Sequence, residues 1–132
     1  MKAFATILAS AALLGVGASA ASAETLAEKG EARLAQLLEG RTAGEPVSCV
    51  SAVRSNRLRV IEHVGVVYDA GKTIYVSRPS DPKSLGPWDI PVIERFGSQL
   101  CKTDVIRTVD RNGGYVTGPV FLGDFVPYTK QG

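Results

Sequence analysis

Histidine and cysteine are scarce in this chain: His63 is the only histidine, and Cys49 and Cys101 are the only cysteines. With one histidine a multi-histidine metal centre is excluded, and a serine-histidine-acid triad would have to use this one imidazole. Glycine-rich phosphate-binding motifs are missing too, since Gly113-Gly114 precedes a predicted strand and not a helix. The sequence therefore predicts no metal site, no nucleotide and no other cofactor.

A surplus of charge of one sign is also missing. The chain has 15 Lys and Arg against 13 Asp and Glu, a net charge of +2, which gives no reason to expect nucleic acid as a partner. Arg54, Arg57 and Arg59 form the one local basic cluster. Arg57 and Arg59 would share a face if this segment is a strand. That face could bind an anionic glycan or a partner's carboxylates, although solvated polar faces are the commoner use of such residues.

Residues 1–23 have the pattern of a secretory signal peptide. Lys2 is followed by an uncharged segment that ends in Ala21-Ser22-Ala23, an A-x-A cleavage site. A membrane anchor is the alternative, because the segment is long enough to cross a bilayer, but Ala, Ser and Gly dominate its second half and make it a poor span. We therefore predict cleavage after Ala23, export to the periplasm or the medium, and no membrane span in the mature product.

Residues 24–132 are enough for one small domain and too few for two. Two cysteines in an exported chain favour a disulfide between Cys49 and Cys101. A bridge that closes a loop of about 50 residues stabilises a domain by about 4 kcal/mol through the entropy lost by the unfolded chain. A reactive thiol is the alternative, but neither a C-x-x-C motif nor a neighbouring base is visible.

A helix is predicted over residues 26–39. Thr25 and Glu28 have the spacing of a capping box, and Gly40 is typical of the residue that ends a helix. Apolar side chains at helical spacing form one face that can pack on the rest of the domain, a role we favour over binding a partner. They are Ala27, Gly30, Leu34, Leu37 and Leu38.

After a connection at residues 41–47 the chain has the composition of strands. The predicted strands are 58–61, 64–68, 73–78, 104–109 and 115–122, with a shorter extended segment at 88–93. The loops 69–72 and 110–114 contain the glycines of two hairpins. Pro119 restricts the last of these strands to a sheet edge or a bulge. We predict an α+β fold in which one N-terminal helix precedes a small antiparallel sheet that could curl toward a barrel.

Acidic and aromatic side chains offer only scattered site candidates. His63 lies between two apolar runs, which is typical of a turn or sheet-surface histidine, and the acids Asp89, Glu94 and Asp124 would have to converge on it to make an acid-base site. Four aromatic residues could line a sugar or peptide groove, although each alone is more often part of a core. They are Tyr75, Trp88, Tyr115 and Tyr128. No catalytic residue is predicted.

Two short motifs carry a family resemblance: FGSQLC at residues 96–101 and FLGDFVPY at residues 121–128. In these motifs, and in the positions of its two cysteines, the chain resembles a group of small exported proteobacterial proteins, of alphaproteobacterial type, whose function is unknown. The resemblance implies secretion, single-domain size and a Cys49–Cys101 pair, and it adds no catalytic residue. Asp124, in the Gly-Asp pair of the second motif, is a candidate ligand-binding residue.

Two classes of function follow. The favoured one is a non-catalytic periplasmic binding or envelope-associated module that holds an envelope protein or glycan, with Arg57, Arg59, Trp88 and Asp124 as candidate contacts. A narrower version is an inhibitor of an envelope-attacking hydrolase that inserts a rigid loop, residues 80–88, into a cleft. The alternative is a small carboxylate-dependent hydrolase or lyase, which requires His63 and a carboxylate within hydrogen-bond reach.

Overall fold

The computed structural model describes residues 24–53, 57–93 and 97–131. The predicted signal peptide, and with it the predicted cleavage after Ala23, lies outside these residues, as do Arg54 and Glu94. Within them an α-helix is followed by strands, the last of which ends at Lys130.

Helix α1 spans Leu26–Leu37. The Thr25 hydroxyl accepts a hydrogen bond of 3.1 Å from the Glu28 N–H, so the predicted cap is confirmed. The helix ends at Leu37 and not at residue 39, because Gly40 adopts a positive φ of 76° and the chain turns there into the first strand.

The strands are short, and many are three to five residues long. They are β1 (Arg41–Ala43), β2 (Cys49–Ser51), β3 (Leu58–Ile61), β4 (Gly65–Asp69), β5 (Thr73–Ser77), β6 (Asp89–Val92), β7 (Gln99–Cys101), β8 (Val105–Asp110), β9 (Val116–Phe121) and β10 (Phe125–Lys130). A short 3-10 turn, Pro82–Ser84, lies between β5 and β6.

These strands pair in antiparallel fashion in three sheets. A five-stranded sheet has the order β1-β10-β5-β4-β3, a ribbon pairs β2 with β7, and a three-stranded sheet has the order β6-β8-β9. The predicted α+β fold is therefore confirmed. The described strands leave every sheet open at both edges, so the suggested curl does not close into a barrel.

Both predicted hairpins form. β4 and β5 are joined through Gly71, whose φ is 94° and whose N–H donates to Asp69 Oδ1 at 2.8 Å. β8 and β9 are joined by a turn in which Asp110 Oδ1 accepts hydrogen bonds from two backbone N–H groups of the turn. β9 is an edge strand and its pairing with β8 contains a bulge, which is what Pro119 predicted.

Four strands were not predicted. β1 lies inside the segment expected to be a plain connection, so that expectation is wrong, and β2, β7 and β10 were missed as well. β1 exists because it pairs with β10, so that Arg41 lies opposite Lys130 at the other end of the chain. Its own residues are largely exposed and show no alternation that would indicate a strand.

The five-stranded sheet is the middle of three layers. On one face, α1 covers a cluster of buried apolar side chains that includes Leu34, Ile61 and Val67. On the other face, side chains of the ribbon and of the three-stranded sheet complete a second cluster. That cluster contains Val50, Ala52, Leu58, Val66, Tyr68, Leu85, Leu100, Ile106, Val120, Leu122 and Phe125.

Candidate functional site

The three-stranded sheet has one face in the core and one face outward. Ile106 and Val120 lie opposite each other and are buried, while the neighbouring pair, Val105 and Phe121, is exposed. Because paired residues of an antiparallel sheet point to the same side, the register defines the whole outward side. This outer face consists of Ile90, Val92, Val105, Arg107, Val109, Val116, Pro119 and Phe121.

Apolar side chains dominate the outer face. Ile90, Val92, Val105, Val116 and Phe121 are between 39% and 62% exposed. Single exposed apolar residues are ordinary on protein surfaces, but a contiguous set on one sheet face is typical of an interaction surface. The sequence contains a signal for this surface. Apolar residues occur on both faces of strand β8, whereas a strand with one buried face needs them on that face only.

The loop at residues 79–88, which precedes β6, is fixed to the body of the protein. Leu85, near its centre, is fully buried, and its carbonyl accepts a hydrogen bond of 3.0 Å from the His63 N–H. Ser80 N–H donates to the Phe121 carbonyl at 3.3 Å, and Gly86 N–H donates to Asp89 Oδ2 at 2.7 Å. The loop therefore holds its last residues, including Trp88, in a defined position.

Trp88 and Tyr115 lie at the end of the three-stranded sheet that carries the β8–β9 turn. Trp88 is 55% exposed, and its carbonyl accepts a hydrogen bond of 2.9 Å from the Arg111 N–H. Tyr115 is also exposed, and its carbonyl accepts from the Asp110 N–H at 2.9 Å. Both aromatic residues are thus tied through their backbones to one turn.

The other two aromatic candidates do not join them. Tyr75 packs on the core cluster beneath the three-stranded sheet, whereas Tyr128 packs on the cluster beneath α1. The five-stranded sheet separates the two rings, so the four aromatic residues do not line one groove.

A groove runs between the edge strand β3 and the edge strand β6. It has a volume of about 320 Å³, and arginines from three separate elements line it: Arg33 of α1, Arg59 of β3 and Arg111 of the β8–β9 turn. A second depression of about 220 Å³ shares Arg33 and Arg59 and continues along the helix to Gln36. We call these two neighbouring depressions together the arginine groove.

Packing of the helix positions Arg33. A Cβ atom on Gly30 would lie 2.2 Å from the Glu62 carbonyl oxygen, so only glycine lets α1 approach the sheet this closely. One turn further along the helix, the Arg33 guanidinium forms an ion pair with the Glu62 carboxylate, which is almost fully buried. Glu62 therefore both holds and neutralises Arg33.

Asp89 also lines the arginine groove, but its carboxylate is engaged within the protein. Oδ1 accepts a hydrogen bond of 2.9 Å from the Thr117 hydroxyl, and Oδ2 accepts the bond from Gly86. The Thr108 hydroxyl lies 2.7 Å from that of Thr117 and extends this chain of hydrogen bonds. In the described part of the chain, no acidic side chain forms an ion pair with Arg59 or Arg111.

Arg57 and Arg59 are not brought together. Strand β3 begins at Leu58, so Arg57 precedes it and lines a separate depression with Val53 and Tyr68. The expectation that the two arginines share one binding face is not met, because strand alternation does not extend back to Arg57. Arg33 and Arg111, which do accompany Arg59, have no sequence spacing that could have indicated it.

Asp124 and the two cysteines lie outside the arginine groove. Asp124 Oδ1 lies 3.0 Å from Lys102 Nζ in a half-exposed ion pair. Cys49 and Cys101 form the predicted disulfide and lie directly opposite each other in the β2–β7 ribbon. The bridge therefore fastens the ribbon that covers one side of the core.

The described residues do not bring His63 into hydrogen-bond contact with Asp89 or Asp124. His63 lies in the β3–β4 turn with a positive φ of 56°, as its sequence context indicated. Residues 24–53, 57–93 and 97–131 contain no group of three side chains that could hold a metal ion.

Comparisons with protein-family models, curated proteins and solved structures find no match to this chain. In the described ranges no helix is both long and apolar enough to cross a membrane.

Proposed function

We propose that this protein is an exported, non-catalytic binding module that holds a protein of the bacterial envelope through the outer face of the three-stranded sheet. The observation that carries the proposal is the set of five exposed apolar side chains on that face. Trp88, on its fixed loop at the end of the same sheet, supplies a rigid aromatic anchor of the kind that dominates binding energy in protein interfaces.

The chemistry of the outer face favours a protein over a glycan as occupant. Valine, isoleucine and phenylalanine offer no hydrogen bonds to sugar hydroxyls, whereas an apolar centre is the usual composition of a buried protein interface. A second copy of this chain would satisfy the same chemistry, so self-association is tested alongside.

Export is supported by two features. Residues 1–23 have the pattern of a cleaved leader, and the Cys49–Cys101 disulfide is the kind of bond that persists in the periplasm and is rare in the cytosol.

The structure of the loop 79–88 favours a general binding role over that of an inhibitor that inserts the whole loop into the cleft of a hydrolase. Leu85, near the centre of the loop, is fully buried, so the loop cannot enter a cleft as one extended segment, although residues on both sides of Leu85, among them Lys83 and Trp88, are exposed. A protruding inhibitory loop would keep its central residues free for the target cleft.

A comparison of two valine variants tests the proposal. The oxidised protein is immobilised and exposed to periplasmic extract, in parallel with Val116→Asp on the outer face and Val53→Asp, an equally exposed valine away from it. We expect at least one protein to be retained by the wild type and by Val53→Asp and to be lost with Val116→Asp. With the purified partner, the affinity should fall about tenfold or more because a charge is placed in an apolar interface.

Three outcomes would count against the proposal. If the same proteins are retained by all three baits, the outer face is not the binding surface, and if a folded bait retains none, an envelope protein is not its partner. Sedimentation equilibrium that shows a dimer broken by Val116→Asp would assign the face to a second copy of the chain.

A further inference from the structure

We propose, resting on the function above, that the arginine groove binds an acidic, extended segment of the same protein partner. The groove therefore adds a second, charge-specific contact to the apolar contact of the outer face.

The groove and the outer face are continuous. Ile90 belongs to both: its side chain lies on the outward side of β6 and it lines the groove between β6 and β3. Arg111, in the same groove, donates its backbone N–H to the carbonyl of Trp88. A partner seated on the outer face therefore reaches the groove without crossing another surface.

The charges of the groove fit carboxylates. Arg59 and Arg111 are exposed, and no described acidic side chain pairs with either, while Arg33 is already held by Glu62. Asp89 is the acidic residue of the lining, and both of its carboxylate oxygens accept hydrogen bonds from groups within the protein. Two guanidinium groups are thus available for the paired hydrogen bonds that arginine forms with carboxylates.

The remaining lining fits a peptide better than a saccharide. Val60, Pro87, Ile90 and Pro91 supply partly or fully exposed apolar surface to the lining, and Leu58 lies buried beneath them. Sugar hydroxyls need several polar side chains around them, but apart from the charged groups the groove offers only Gln36, in its continuation along α1. A segment that alternates acidic and apolar side chains matches both parts of the lining.

A binding assay with a synthetic peptide tests this without the natural partner. The probe is a fluorescein-labelled hexapeptide, Glu-Leu-Glu-Leu-Glu-Leu, titrated with the oxidised protein and followed by fluorescence anisotropy at low salt. We expect Arg59→Ala and Arg111→Ala each to weaken binding about tenfold, because each removes a charged hydrogen-bonding partner. Arg59→Lys should retain part of the affinity, and added salt should weaken binding of the wild type.

The matched control is Arg57→Ala, which removes the same charge two positions away but outside the groove. We expect it to change the affinity less than twofold. A peptide with glutamine in place of every glutamate should not bind. Thermal unfolding of each variant verifies that the fold is kept.

The proposal is overturned if the peptide does not bind, if Arg57→Ala weakens binding as much as Arg59→Ala, or if oligogalacturonate binds more tightly than the peptide and depends on Arg59. Val116→Asp separates the two proposals, because it should abolish partner capture while it leaves peptide binding unchanged. If Val116→Asp still captures the partner, the proposed function has failed; if partner capture behaves as expected but the wild type does not bind the peptide, only the inference about the groove has failed.

Discussion

The two larger sheets of this protein differ in how much of their apolar surface is covered by the rest of the chain. The five-stranded sheet is covered on both sides, by α1 on one face and by the smaller sheets on the other. The three-stranded sheet is covered on one side only, and its outward side presents isoleucine, valine and phenylalanine to solvent. The apolar side chains of the five-stranded sheet are therefore buried by other parts of the described chain. Those on the outer face of the three-stranded sheet are not, and a contiguous exposed set of this kind is typical of an interaction surface.

The sharpest test of this difference compares two phenylalanines that lie four positions apart. Phe125 is fully buried at the start of β10, whereas Phe121, at the end of β9, is 58% exposed. We expect Phe125→Ala to lower the free energy of unfolding by about 3–5 kcal/mol, because it removes buried surface and leaves a cavity. Phe121→Ala should cost less than about 1 kcal/mol. Urea unfolding measures both, and similar losses would show that the outer face is part of the stabilising core.

A smaller loss of stability is expected on removal of the disulfide, which joins the two strands of the ribbon to each other. Replacing both cysteines by serine should lower the free energy of unfolding by about 2–4 kcal/mol, because the loop between Cys49 and Cys101 is no longer closed in the unfolded chain. Urea unfolding of the oxidised protein and of the double variant measures the difference. An unchanged midpoint would mean that the ribbon is held by its packing alone.

The smallest change in the free energy of unfolding is expected for an ion pair between α1 and the residue that follows β5 of the five-stranded sheet. In this pair the Glu31 carboxylate accepts hydrogen bonds of 2.6 and 3.2 Å from the Arg78 guanidinium. The hydrogen bond from Arg78 lowers the pKa of Glu31, and partial burial opposes this only in part. Since the folded-state pKa lies below the unfolded value, about 4.3, this stabilisation is present above that pH and is lost as the pH falls through the folded pKa. Both side chains are half exposed, so the pair contributes less than about 1 kcal/mol.

Glu31→Gln tests that small contribution. The variant should be slightly less stable than the wild type at about pH 7, and the difference should disappear as the pH falls through the lowered folded-state pKa of Glu31, because the carboxylate is then protonated. Arg78→Gln should show the same pH dependence. A difference that persists at low pH would mean that packing of the side chain, and not its charge, stabilises the helix on the sheet.

Sequence patterns predicted the elements that are local in the chain. The cap at Thr25, the hairpin through Gly71 and the edge position of Pro119 each depend on a few adjacent residues whose backbone preferences suffice. The strands that were missed, such as β1, exist only through pairing with a distant partner.

The residues of the candidate site also divide into those that the sequence indicated and those that only the fold brings together. Arg59 and Trp88 were singled out by residue type, but Arg33 and Arg111 join Arg59 only because a helix, an edge strand and a turn meet at one groove. Arg57 and Asp124 were chosen on equal grounds, and folding places them elsewhere.

By itself, the amino-acid sequence determined the helix and its cap, the two hairpins, the pairing of Cys49 with Cys101, and the lack of a multi-histidine metal centre, because each depends on local preference or on residue counts. Only the tertiary structure decided which face of the three-stranded sheet stays uncovered and which arginines share a groove. Those outcomes depend on contacts between residues far apart in the chain, which no local pattern encodes.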